Sequence, residues 1–173
     1  MRSPEYVDKE VPDAYHGTEL GVAKRIEKGE RFKKSKRDDL YLGDGVYFFE
    51  GSSELAQDWA KWRFKHYGII CATIQLGFCL DFHTVRAVQI IRFVEEKLKK
   101  KMPGKTIQIP AVINFYVENI NPKIDTIRAT NVKVNRPIIE EDKFYLSELI
   151  ICVRNLNNIK KVSLVEQGVG NAR

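Results

Sequence analysis

Extended, β-branched runs at the two ends of the chain, with helix-patterned segments between them, constrain the fold more than any other feature. "DAYHGT", "VYFFE" and "GIICATIQL" come early; "FYLSELIICVRN" and "IKKVSLVEQ" come late, separated by "NLNN", a stretch with turn chemistry. The intervening segments change period. "ELGVAKRIEKG" places Leu20, Val22, Ala23 and Ile26 on an apolar side and ends at Gly29, suited to the position just past a helix. "SSELAQDWAKWRFKHY" opens on serines that can cap a helix and spaces Leu55, Ala56, Trp59, Ala60, Arg63 and Phe64 helically. "DFHTVRAVQIIRFVEEKLKKKM" is the longest amphipathic segment, and its lysines favour the negative end of a helix dipole. "IPAVINFYVENIN" fits a helix from near Pro110, with a strand left open by its β-branched content, and "KIDTIRATNVKVN" reads as a strand or a loop with strand ends. Strands at both ends with helices early and in the middle imply an α+β class.

At 173 residues, 43% of them hydrophobic, the chain fits one core-forming domain. The polar, proline-containing first dozen residues read as an arm (1–12) and residues 13–173 as the domain. No apolar run approaches the ~18 to 20 residues of a membrane span, and "MRSPEYVDKEVPD" lacks a signal-peptide core, so a soluble cytoplasmic protein without a membrane partner is expected. Cys71, Cys79 and Cys152 sit in apolar company at unrelated spacings and read as buried free thiols. A net charge of +6 suits a polyanionic partner.

Phosphate-binding and dinucleotide-binding glycine loops and the Gly-x-Ser-x-Gly elbow are missing from the sequence. His66 and His83 lie at helix edges with no second ligand at metal-binding spacing. His16 alone reads as a strand-end residue, and Glu148 alone as an edge-strand glutamate facing water.

Taken together, "YHGT", "LGDGVYFFEGSSELAQDWA" and "SELIICVRNLNNIKKV" resemble in order and spacing the diphtheria-toxin-like ADP-ribosyltransferases, the branch that includes the poly(ADP-ribose) polymerases and carries a His-Tyr-Glu triad. The stretch from about residue 77 to 145 matches none of its motifs. The resemblance implies an ADP-ribosyltransferase fold, two packed, mostly antiparallel sheets with flanking helices, and NAD as co-substrate with no metal. It assigns His16 to the adenosine ribose, Gly17 to the nicotinamide carboxamide through its backbone, Tyr47 to the nicotinamide ring and, with a one-residue shift, Trp59 to a second aromatic wall. Thr18 belongs to the same segment, with a helix-capping role left open. The family's carboxamide serine has no clear counterpart: the shifted alignment puts Ala56 there, with Ser52 and Ser53 nearby. Glu148 matches the catalytic glutamate, with Glu140, Glu141 and Asp142 as rival acids.

The implied chemistry explains the residue types. Cleaving nicotinamide from its ribose leaves oxocarbenium character, which a fixed carboxylate stabilises by on the order of 3 kcal/mol, about a hundredfold in rate. The implied function is mono-ADP-ribosyl transfer to a macromolecule. The toxin of a toxin–antitoxin or anti-phage system, with a neutralising antitoxin or inhibitor protein, fits the size. The basic stretch holding Lys33, Lys34, Lys36 and Arg37 tilts the acceptor slightly toward RNA or DNA over protein. The alternatives are an NAD-dependent RNA 2′-phosphotransferase, against which "DGVYFFE" and Glu148 argue, and a non-catalytic NAD or ADP-ribose binding module.

Overall fold

The computed structural model describes residues 6–36, 40–139 and 144–172. In chain order the elements are β1 (Tyr6–Glu19), α1 (Leu20–Glu27), β2 (Val46–Glu50), α2 (Ser53–Arg63), β3 (His66–Asp81), α3 (Val85–Lys101), α4 (Ile109–Asn119), β4 (Thr126–Ile139), β5 (Phe144–Val153) and β6 (Ile159–Val169). The mixed, strand-flanked architecture agrees with an α+β reading. The expected pair of stacked sheets does not appear among these strands. They hydrogen-bond in the order β1-β2-β5-β4-β3-β6, and β3 also pairs with β1. Five strands therefore close a ring, and β6 extends it outside β3. The β3–β4 contact, Cys79↔Thr126 to Asp81↔Arg128, is parallel; the other pairings are antiparallel.

A second correction concerns the expected arm. From residue 6 onward it is strand, with Tyr6 opposite Phe78, Glu10 opposite Gln75 and Val11 opposite Ile74. The alternation of Val7 and Val11 with charged neighbours is the period of a half-buried strand, masked by the Pro12–Asp13 step where the register shifts. The other end of the domain follows the expected pattern: Asn155 caps a single 3₁₀ turn at Leu156–Asn158 that joins β5 to β6.

Alternation along each strand divides the apolar residues between two faces. One face of the ring contributes Ala14, Phe48, Ile70, Ala72, Ile74 and Ile151 to a core closed by Ala23 and Ile26 of α1 and by Phe32. On the other face, Ile127, Ala129, Ile150 and Cys152 pack under α3 and α4, while Tyr67 and Ile69 pack under Ala56 and Ala60 of α2. The ambiguous "IPAVINFYVENIN" is helical, with Pro110 in the first turn where its missing N–H costs nothing. Ser52 caps α2 by accepting from the Leu55 N–H at 3.3 Å, and Thr84 caps α3 through the Ala87 N–H. Cys79 and Cys152 are buried and Cys71 half-buried, all as free thiols. No described helix is long and apolar enough to cross a membrane.

Candidate functional site

β1 and β2 share a short ladder. Asp13 accepts from the Gly51 N–H at 2.7 Å, Ala14 lies opposite Glu50 and Tyr15 opposite Phe49, and there the described pairing ends. β1 continues along β3 through His16↔Ile70 and Gly17↔Ile69. In place of the next rung, His16 Nδ1 lies 2.8 Å from the Tyr47 carbonyl oxygen. A carbonyl only accepts, so Nδ1 carries the proton, and Nε2 of the neutral ring is left as an acceptor. Phe32 meets the ring edge-on at 5.5 Å and Phe48 lies at the same distance, so burial pushes the imidazole below its ordinary pKa, with the Tyr47 hydrogen bond acting the opposite way. Among the described residues, Nε2 has no polar partner.

Backbone groups along an antiparallel strand point alternately to its two neighbours. Asp13 directs its carbonyl to β2, so Gly17, four residues on, turns its N–H and C=O toward the same side, past the last rung. A side chain at 17 has no room: its Cβ would lie 2.5 Å from the Ala56 carbonyl oxygen and 2.8 Å from the Ala60 Cβ. The bare Cα is thus accounted for by the approach of α2, while the Gly17 N–H and C=O face β2 beyond the last described rung. Thr18 is buried in the strand opposite Gly68, and α1 is preceded by Glu19, which makes no side-chain cap. The capping role for Thr18 is set aside.

Tyr47 projects to the opposite face from His16. Its hydroxyl donates to the Gly43 carbonyl at 2.6 Å and accepts from the Leu42 N–H at 2.8 Å. With both valences used and burial pushing its pKa up, Tyr47 serves as a fixed ring and not as a proton donor. The turn that holds it is pinned in its own right. Asp44 and Asn114 exchange hydrogen bonds at 2.9 and 3.2 Å, and Arg154 donates to the Asp44 carbonyl and to Asn114 Oδ1. Gly43 sits at φ +77°, where only glycine is at ease.

Glu148 is 7% exposed on β5, and Asn131, its partner in register on β4, donates Nδ2 to its Oε2 at 3.0 Å. Tyr47 lies opposite Cys152. Glu148 stands four positions away on the same face, about 13 Å along the strand. The structure thus brings Tyr47 and Glu148 to one face and joins His16 to Tyr47 only through the backbone. The rival acids Glu140, Glu141 and Asp142 lie outside the described residues.

Trp59 is partly exposed, edge-on to Phe64 at 5.6 Å. Gln57 bonds Glu166 of β6 and Lys61 donates to Gln57 at 2.7 Å, which fixes that flank of α2 toward β6. Helical spacing then turns the Trp59 flank toward β2. Ser52 is occupied as a cap and donates to Glu54 at 3.1 Å; Ser53 is half-buried. Lys33, Lys34 and Lys36 are exposed, and the Ser35↔Gly45 bridge sets them beside the turn into β2. Arg37 lies outside the described residues. Groups of His, Cys, Asp and Glu able to hold a metal are not found among the described residues.

A cavity of about 780 Å³ lies elsewhere, walled by Leu40, Tyr41, Leu42, Ile107, Ile109 and Ile113, with His83 and Thr130 at its polar side. It adjoins the features above through Leu42, whose N–H the Tyr47 hydroxyl accepts, and through Ala129 and Thr130 next to Asn131. Sequence spacing pointed to neither Asn131 nor the His83–Thr130 contact, because Asn131 meets Glu148 through cross-strand register and Thr130 comes to His83 from 47 residues away.

Fold and site define a mixed α/β protein whose ring of strands parts between β1 and β2 past the Tyr15↔Phe49 rung, with a buried carboxylate, Glu148, four residues along β5 from the Cys152 that faces Tyr47. The chain is similar to an uncharacterized protein of Methanocaldococcus jannaschii, 25% identical over 181 aligned positions that span 86% of this chain and 84% of the relative. No family model matches the chain, and no solved structure matches it.

Proposed function

We propose that the chain is an NAD-consuming mono-ADP-ribosyltransferase. The observation that carries the reading is the parting of β1 and β2 after the Tyr15↔Phe49 rung, where an imidazole acceptor and the Gly17 backbone lie at one gap. NAD threads this opening. A hydroxyl of the adenosine ribose donates to His16 Nε2, and the carboxamide pairs with the Gly17 N–H and C=O. The nicotinamide lies on the Tyr47 ring, with Trp59 as a second wall. Glu148, held by Asn131, faces the nicotinamide ribose and stabilises its charge as the glycosidic bond breaks; nicotinamide departs and the acceptor's nucleophile takes the anomeric carbon.

The exposed Lys33, Lys34 and Lys36 beside the β2 entry favour a nucleic-acid acceptor, since phosphates track such a surface. A toxin role in the cytoplasm, held in check by an antitoxin protein, accords with such an activity. Nicotinamide release from labelled NAD tests the reading. Glu148→Gln is expected to lower it by about a hundredfold while NAD binding persists; unchanged turnover overturns it. Label transferred in a cell extract should be removed by nuclease, and removal by protease alone reassigns the acceptor.

A further inference from the structure

The cavity under α4 is bordered by a relay that the proposed transferase does not use. β3 ends at Asp81, and the turn into α3 carries His83 back over it. His83 Nδ1 lies 2.6 Å from Asp81 Oδ1, and the His83 backbone N–H donates to the same oxygen at 3.0 Å. On the other side of the ring, Nε2 lies 2.6 Å from Thr130 Oγ1 of β4. A carboxylate only accepts, so Nδ1 bears the proton of the neutral ring, and the Thr130 hydroxyl donates to Nε2. This is the proton order of a carboxylate–imidazole–hydroxyl relay.

Both outer members are held. Arg128 donates from Nε and Nη2 to Glu50 at 2.6 and 2.8 Å and from Nη1 to Asp81 Oδ2 at 3.3 Å, which orients Oδ1 toward His83. Burial acts to raise the Asp81 pKa, but the His83 hydrogen bonds and the Arg128 charge outweigh it and keep the carboxyl below its ordinary value. The Tyr41 hydroxyl donates to the Thr130 carbonyl at 3.0 Å. His83 and Thr130 face a cavity of about 780 Å³ whose other walls are mainly apolar. Its one described acid, Glu95, is paired with Lys99 at 2.7 Å, and no lysine or arginine is among its described lining residues, so the space suits an uncharged, largely apolar substrate.

We infer that Thr130 is the nucleophile of a second centre that hydrolyses neutral carboxylic esters with apolar acyl groups. Thr130 Oγ1 forms a bond to the acyl carbon while its proton passes to His83 Nε2; the ester C–O bond breaks and the alcohol leaves with that proton. Water then attacks the acyl-threonine and gives a proton to His83. The carboxylic acid departs, and the proton returns to Thr130. Asp81 holds the ring in register and stabilises its charged form.

The test uses the full chain with p-nitrophenyl acetate and butyrate and no NAD, so its outcome is independent of the transferase reading. Hydrolysis above the buffer rate is expected, faster for butyrate. Thr130→Ala and His83→Ala should each lower it by about a hundredfold or more, Asp81→Asn by at least about tenfold, and Thr130→Ser should retain it. A serine- or threonine-directed β-lactone should add one mass equivalent that maps to Thr130, and Thr130→Ser should carry the same adduct at position 130. Hydrolysis at the buffer rate, hydrolysis untouched by folded Thr130→Ala, or an adduct mapping elsewhere overturns the proposal.

Discussion

His16 Nδ1 donates to the Tyr47 carbonyl at 2.8 Å, the acceptor that the next β1–β2 rung would have used. A side chain thus stands where a strand pair would otherwise zip shut. Replacing His16 by Ala frees that carbonyl and empties the space between Phe32 and Phe48, each about 5.5 Å from the ring. The expected cost is about 2–4 kcal/mol in urea denaturation, from a lost hydrogen bond and a cavity. In calorimetric titration, NAD affinity should fall at least about tenfold, and wild-type affinity in the variant would count against the proposed ribose contact.

The same residue sets a pH dependence. Burial holds the folded-state imidazole below the unfolded value of about 6.5. Between those two values the unfolded chain binds more protons than the folded one, so stability rises with pH. His16's contribution is therefore complete above about pH 6.5 and is lost as pH falls through the lower folded-state value. Denaturation midpoints measured from pH 8 to pH 5 should decline on the acid side, and His16→Gln, which does not titrate, should flatten that decline. A wild-type protein that gains stability over this range would contradict the assigned direction.

Gly17→Ala examines packing separately from ligand contact. The added methyl would press on the Ala56 carbonyl and the Ala60 Cβ, both on a helix backbone that cannot yield locally. Moving α2 outward disturbs the Ala56, Ala60 and Ile69 contacts, for an expected loss of about 1–3 kcal/mol. Thermal melts provide the measurement. A melting temperature equal to wild type would mean that α2 is held less closely than the structure indicates.

Much of this was legible in sequence, and the exceptions share a cause. Helix boundaries followed caps and period: Ser52 before α2, Thr84 before α3 and Pro110 in α4 all carry local signals. β1 was cut short because its first half alternates apolar and charged residues weakly, and its order comes from β3, some sixty residues on. The single closed sheet was equally hidden, since ring closure depends on which strands meet and not on any run's composition. Of the residues proposed for the NAD site, His16, Gly17, Tyr47 and Glu148 stood out by motif, whereas Asn131 and the Thr130 end of the Asp81–His83–Thr130 relay are brought in from distant strands. His83 in particular read as an isolated histidine because its partner Thr130 lies 47 residues away.

Arg128 offers the sharpest stability test. Its side chain is 15% exposed and is shared by Glu50, 14% exposed, and Asp81, 23% exposed. Replacing Arg128 by Met keeps most of the volume and leaves two carboxylates facing one another without their cation. Removal of one partner from a largely buried ion pair costs about 3–5 kcal/mol, much of it the desolvation of the charge left behind. The variant should therefore unfold at markedly lower urea than wild type. Adding Glu50→Gln to Arg128→Met should recover part of the loss, because one orphaned charge is gone. If the double variant is no more stable than Arg128→Met alone, the bidentate Glu50 contact is not what holds Arg128 in place.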